Sequence, residues 1–173
     1  MRVSRRAFLA GGVALGATPA LAAERSFAQV VRQAVDLEQH AVVVYESAAE
    51  ELEGRVAATA RLFAAQDREH AEGLLRVLRH VRVEAPVAPT SADQVRGLEP
   101  ALGNGAQAFV RFALSFEERA VAFYYEAQGD LGDKPLLAAT TSIMANQAQR
   151  LVVLREMLGR EPLPGAFETG GVG

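Results

Sequence analysis

The strongest constraint on the fold is a glutamate that recurs at a core-facing position in two similar stretches of the chain. Residues 37–45 and 116–124 resemble each other position by position, and they place Glu38 and Glu117 where helical periodicity calls for a buried residue. Moving a carboxylate out of water costs several kcal/mol unless it meets a cation, a metal ion or hydrogen-bond donors. The two glutamates therefore indicate a polar site inside the fold.

A pair of polar residues three positions apart follows each glutamate. The first pair is Asp67 and His70, and the second, 80 residues further on, is Gln147 and Arg150. Because residues i and i+3 share one face of a helix, both members of a pair can point at the same centre. We therefore predict two helical hairpins of similar pattern whose polar middle layers meet.

Four long amphipathic segments predict an all-α fold. Gly54 separates the first two, residues 129–132 form a turn between the last two, and a long connection with three prolines lies in the middle. Short, long and short connections are typical of a four-helix bundle with one long crossover between helices 2 and 3. A short helix is expected in that crossover after Ser91, which begins a capping-box pattern. The four predicted helices run from about 26 to 53, 55 to 81, 105 to 128 and 134 to 159.

The first 22 residues predict an export signal that is not part of the fold. Arg5 and Arg6 belong to a twin-arginine pattern, an apolar run of 12 residues follows at 7–18, and 20–22 form an Ala-Leu-Ala cleavage site. A membrane anchor is the weaker alternative, because the apolar run at 7–18 is shorter than the roughly 20 residues that a bilayer span needs. We expect export by the twin-arginine pathway to the periplasm or the extracellular space. The predicted division is a signal peptide at 1–22, a four-helix bundle at 23–165 and a flexible tail at 166–173.

Charge and composition exclude several classes of partner. The first 22 residues hold three arginines and no acid, so the remainder carries 15 basic and 21 acidic side chains. Nucleic acids and anionic membranes select clustered positive charge, so neither is expected as a partner. The absence of cysteine excludes covalently attached haem and a lipoprotein anchor. No membrane span is expected after signal cleavage; the protein partner stays unidentified, and a homo-oligomer stays open.

Taken together, these features resemble the ferritin-like superfamily, in particular bacterial exported ferritin-like domain proteins, over nearly all of the mature chain. The resemblance implies a di-iron or di-manganese centre, in which two helices supply one glutamate each and the other two supply Glu-x-x-His. It assigns the two single-glutamate positions to Glu38 and Glu117. It assigns one Glu-x-x-His to Asp67 and His70, with aspartate in place of glutamate.

The second Glu-x-x-His position departs from the superfamily pattern. Gln147 and Arg150 stand there, and a guanidinium is a permanent cation that cannot bind a metal ion. Three states of the centre stay open: two metal ions, one iron or manganese ion, or none. The metal-free state is favoured, with Arg150 compensating the carboxylates in place of the second ion through bidentate hydrogen bonds.

Other polar residues near the predicted centre have simpler interpretations. Tyr45 and Tyr124 each follow a core glutamate by seven positions, and we expect their hydroxyls to bond the carboxylates rather than to take part in redox chemistry. His40 and His80 lie off the buried stripes and are expected at the surface. An ordinary core histidine is the alternative for His70.

The sequence thus favours a protein that is not an enzyme, with no catalytic or organic-cofactor residues assigned. It predicts a binding or structural role in the cell envelope around a degenerate di-metal centre. The alternative is a metal-dependent oxidoreductase or an iron-handling protein that uses the half-site Glu38, Asp67, His70 and Glu117.

Overall fold

The computed structural model describes residues 26–171, which form an all-α fold without any strand within that range. This confirms the predicted fold class. The predicted signal peptide at 1–22 lies outside the described residues and stays a prediction. Residues 26–171 contain five α-helices: α1 (Phe27–Glu51), α2 (Gly54–His80), α3 (Leu98–Gly103), α4 (Ala106–Ala127) and α5 (Lys134–Met157).

The four long helices form two hairpins, α1 with α2 and α4 with α5, and α1 also packs on α4. Helix α1 begins at a capping box formed by Ser26 and Gln29. The Gln29 amide nitrogen donates to Ser26 Oγ at 3.3 Å, and the Ser26 amide nitrogen donates to Gln29 Oε1 at 2.8 Å. Helix α5 begins with Asp133 accepting from the Leu136 amide at 2.9 Å, with Pro135 in the first turn.

The crossover between α2 and α4 differs in detail from the sequence prediction. The capping box at Ser91 does not form, because Ser91 Oγ donates to Asp93 Oδ1 and the Gln94 side chain accepts from the Thr90 amide. The short helix expected after Ser91 is a 3₁₀ helix, Ala92–Gln94. A second helix of the crossover, α3, follows it at a position that the sequence analysis did not specify, and buried Leu98 and Leu102 hold it against the bundle.

The apolar core divides into two clusters on either side of a polar layer. One cluster includes Tyr45, Phe63 and Leu151, and the other includes Leu74 and Leu136. Between them lie the buried polar side chains of the bundle middle. This layered arrangement is the structural consequence of four stripes that are apolar except at their centres. The buried polar residues of the layer are Glu38, Asp67, Glu117, Gln147 and Arg150.

The segment after α5, part of the predicted flexible tail, contacts the bundle. Arg155 Nη1 donates to Glu168 Oε2 at 2.7 Å. Gly170 packs so closely on α4 that an added Cβ would overlap the Glu118 carbonyl oxygen, and its φ of +69° also favours glycine. The flexibility of the tail stays a prediction.

Among the described residues, none of the helices combines the length and the hydropathy needed to cross a membrane.

Candidate functional site

Glu38, on α1, is completely buried and receives hydrogen bonds from three other helices. Tyr124 Oη donates to Glu38 Oε1 at 2.6 Å, and Gln147 Nε2 donates to the same oxygen at 2.9 Å. His70 Nδ1 lies 3.0 Å from Glu38 Oε2. These contacts satisfy both carboxylate oxygens, which offsets the cost of burying the charge.

Glu117, on α4, has a matching but less complete set of partners. Tyr45 Oη donates to Glu117 Oε1 at 2.5 Å, and Arg150 Nη1 donates to the same oxygen at 3.1 Å. Glu117 Oε2 is buried without a hydrogen-bond partner among residues 26–171. The Arg150–Glu117 contact is the counterpart of the His70–Glu38 contact in the other half of the repeat.

Each of the two buried tyrosines bonds the glutamate of the other helix, not the one on its own helix. Each tyrosine stands seven residues after the glutamate of its own helix, but Tyr45 of α1 bonds Glu117 of α4, and Tyr124 of α4 bonds Glu38 of α1. The expectation that their hydroxyls bond the carboxylates is confirmed. These two buried, charge-assisted hydrogen bonds join the two hairpins.

Arg150 is the buried cation at the centre of the layer. Its Nη1 lies 2.6 Å from Asp67 Oδ1 and donates to Glu117, so one nitrogen serves two carboxylates. The bidentate pairing expected from the sequence does not occur, because Nε and Nη2 have no hydrogen-bond partner within the described chain. The guanidinium lies 4.8 Å from the ring centre of Phe63 and 5.9 Å from that of Tyr45, within cation–π range.

Burial changes the pKa of the acidic groups in this layer. Desolvation raises the pKa of Glu117 to about 7, although Arg150 opposes the change. Desolvation also raises the pKa of Asp67 against the lowering effect of His70 and Arg150. Burial, followed by the neighbouring carboxylates, raises the pKa of Tyr45 and Tyr124 well above 10, so both hydroxyls stay neutral donors.

The two basic groups remain charged at neutral pH. Desolvation alone would lower the pKa of His70, but the neighbouring carboxylates of Asp67 and Glu38 raise it to about 9. Desolvation also works against Arg150, yet Glu117 and Asp67 raise its pKa further above the ordinary range. Two cations thus face three carboxylates, and protonation of one carboxylate makes the layer neutral without a metal ion.

The donor set fits one metal ion and not two. Ligand atoms of Glu38, Asp67 and His70 all lie within 4.8 Å of one another, and carboxylates with imidazole suit iron or manganese. The other half of the layer holds a guanidinium against Glu117, where a second metal ion would need anionic or neutral donors. Arg150 therefore supplies positive charge to this half of the layer.

All six residues that the sequence selected are brought together in this layer. The metal-binding role expected of Glu38, Asp67, His70 and Glu117 stays a prediction. His40 is apart from the layer, with Nδ1 2.8 Å from the Asp36 carbonyl oxygen, and His80 is exposed. The sequence analysis missed the role of Phe63, which lies four residues before Asp67 and supports the guanidinium. An aromatic residue one turn from a core carboxylate was the available signal.

The helical bundle with a central carboxylate–histidine cluster defines the ferritin-like class of proteins. A family model described as a ferritin-like domain matches residues 21–160, so the chain belongs to the ferritin-like domain family. No curated protein and no solved structure matches the chain significantly.

The raised pKa values predict that the metal-free protein is most stable on the acid side of neutrality. The folded-state pKa of His70, about 9, exceeds its ordinary 6.5, so its contribution is complete below pH 6.5 and is lost as pH rises to 9. The pKa of Glu117 is raised from 4.5 to about 7, so its contribution to stability is likewise lost as pH rises from 4.5 to 7. We expect the free energy of unfolding to fall by about 2–3 kcal/mol between pH 6.5 and 9.

Urea unfolding with a chelator present, at pH 5, 6.5, 8 and 9, measures this dependence. His70→Gln should flatten the decline above pH 6.5, whereas His40→Gln, outside the layer, should preserve it. A stability that rises from pH 6.5 to 9 in the unsubstituted protein would contradict the assignment.

Proposed function

We propose that the protein is an exported ferritin-like protein with a non-catalytic binding or structural role in the cell envelope. Its centre is a degenerate di-metal site in which Arg150 takes the place of the second ion. The observation that carries the proposal is the buried Arg150 guanidinium between Asp67 and Glu117. A fixed organic cation supplies charge to the core, but it has neither an exchangeable ligand position nor a second oxidation state.

The contacts around Arg150 also support a structural function for the polar layer. Gln147 and Arg150 of α5 hydrogen-bond the carboxylates of α1 and α4, and Arg150 also forms an ion pair with Asp67 of α2. The tyrosine–glutamate bonds join α1 to α4. Directional, buried polar networks select one packing arrangement more strictly than apolar contacts do. The layer therefore fixes the register of the four helices whether or not an ion is bound.

A second candidate is a metal-dependent oxidoreductase or an iron-handling protein that uses a single ion. The observation that favours it is the cluster of Glu38, Asp67 and His70, whose ligand atoms are close enough for one ion. His70 is also the accessible member, with 16% of its side chain exposed while the two carboxylates are fully buried. An ion could thus reach this half of the layer from solvent beside the histidine.

Metal content separates the two candidates. We expect untagged protein purified without chelator to contain well under one equivalent of iron or manganese, and to bind no second equivalent when titrated with Fe(II) or Mn(II). Elemental mass spectrometry and isothermal titration measure this. His70→Ala should abolish any ion bound at the half-site, and His40→Ala should leave it unchanged. One equivalent with peroxide turnover would establish the second candidate. Two equivalents would contradict the degenerate site and would favour a metal-dependent enzyme.

Export is tested by the N-terminus of the mature protein. Expressed in a bacterium with a twin-arginine pathway, the chain should accumulate outside the cytoplasm and begin near Ala23, as determined by intact-mass spectrometry. Arg5→Lys together with Arg6→Lys should retain it in the cytoplasm. A mature protein that keeps residues 1–22 would favour the membrane-anchor alternative.

A further inference from the structure

A groove of about 610 Å³ lies between α2 and α5 and leads to the polar layer. Its apolar surface is formed by Leu74 and Val77 of α2 with Leu136 and Ile143 of α5, and His70 lines it as well. The volume and the mixed lining are typical of sites for small organic molecules. The groove is thus connected directly to a residue of the centre.

Gly73 lines this groove from the interior of α2 and has no evident structural requirement. Glycine destabilises a helix interior relative to alanine, and a left-handed backbone is not the reason for it, since Gly73 has ordinary helical geometry. A Cβ added at Gly73 would meet only Arg76 Nη2, at 3.7 Å, within 4 Å. The effect of the glycine is therefore to leave the groove open.

The end of the groove near the centre carries two amide groups with unused hydrogen-bonding capacity. Gln66 Oε1 and Asn146 Oδ1 are buried and have no hydrogen-bond partner among the described residues. Gln66 immediately precedes Asp67, and Asn146 immediately precedes Gln147, so both belong to the turns that carry the polar layer. Buried amide oxygens are stabilised when a water or ligand molecule donates to them.

We propose that this groove binds a small uncharged molecule with an apolar body and a hydroxyl or amide head group. A hydroxyl head group donates to the amide oxygen of Asn146, and an amide head group can also donate to that of Gln66. The body packs on Leu74, Leu136 and Ile143. The charged groups of the rim, Glu69 and Arg76, are exposed and opposite in sign, and the charge of His70 is paired with Glu38 and Asp67. Together these groups give no net preference for a charged ligand. The inference rests on the proposed binding role and specifies its ligand class.

A fluorescence titration with 2-naphthol tests the groove. This probe is uncharged at neutral pH and carries one hydroxyl on a two-ring body, and the protein has no tryptophan to obscure its emission. We expect saturable binding of one equivalent. Gly73→Leu should weaken it by at least about tenfold, because the new side chain fills the open space, while the melting temperature should not fall. Ala65→Leu places the same side chain at an exposed position of α2 outside the groove and should change affinity less than about twofold.

The head-group contact has its own test. Asn146→Leu keeps the approximate shape but removes the hydrogen bond, so it should weaken 2-naphthol binding by about 2- to 12-fold. Absence of saturable binding, or equal affinity in the Gly73→Leu and Ala65→Leu variants, would overturn the proposal. Metal analysis is independent of these measurements, so a failure of the groove and a failure of the proposed function are distinguishable.

Discussion

Arg150→Ala should lower the free energy of unfolding by about 3–5 kcal/mol at pH 7 with a chelator present, because it leaves buried carboxylates without their cation. Arg150 is 1% exposed, and its Nη1 is the cationic partner of both Asp67 and Glu117. Without Arg150, the carboxylates of Asp67 and Glu117 repel each other in a medium that screens charge poorly. Urea-induced unfolding followed by circular dichroism measures the loss.

Two controls separate the lost pairing from loss of a long side chain. Arg111→Ala removes an exposed arginine from α4 and should change stability by less than about 0.5 kcal/mol. The Arg150→Ala penalty should shrink at pH 5, since Glu117 then holds a proton and no longer needs a cation. Restoration by added Mn(II) would show that a metal ion can replace the guanidinium. A loss below about 1 kcal/mol, equal at both pH values, would mean that Arg150 does not compensate the layer.

The long helices could be predicted from the sequence because their periodicity and caps depend on residues close together in the chain. The capping residues Ser26 and Asp133 determine where α1 and α5 begin, and the structure forms both caps. The crossover was not accessible in the same way. Helix α3 is six residues long, too short for a periodic pattern, and it exists because Leu98 and Leu102 pack against the bundle. The capping box at Ser91 does not form because its side chains make other hydrogen bonds. Ser91 bonds the side chain of Asp93, and Gln94 bonds the backbone of Thr90.

The members of the polar layer could be selected from the sequence, but their pairing could not. Helical periodicity identifies Glu38 and Glu117 as buried whatever their neighbours are. The bonds from Tyr45 to Glu117 and from Tyr124 to Glu38 depend on the packing of α1 against α4, which the sequence of one helix does not determine. The use of one Arg150 nitrogen by two carboxylates also depends on tertiary distances. The groove between α2 and α5 is a gap between helices, and Gly73 was its only sequence signal.

The double change Gln147→Glu with Arg150→His should raise the metal stoichiometry from at most one equivalent to two. It removes the permanent cation and gives α5 a carboxylate and an imidazole three residues apart, mirroring Asp67 and His70 of α2. Since Gln147 already reaches Glu38 and Arg150 already reaches Glu117, the replacements lie where their donors can join the existing carboxylates. Without metal, the added negative charge should make the variant less stable than the unsubstituted protein.

Titration with Fe(II) and Mn(II), followed by elemental analysis after gel filtration, measures the stoichiometry. The matched control is Gln149→Glu with Arg160→His, which makes the same chemical changes at exposed positions and should bind no additional ion. Metal should also raise the melting temperature of the double variant much more than that of the control, because binding to the folded state alone stabilises it. A folded double variant that still binds one ion or none would mean that Gln147 and Arg150 are not what excludes the second ion. The loss of the di-metal centre would then have to lie in the shorter Asp67 side chain or in the backbone positions of the four helices.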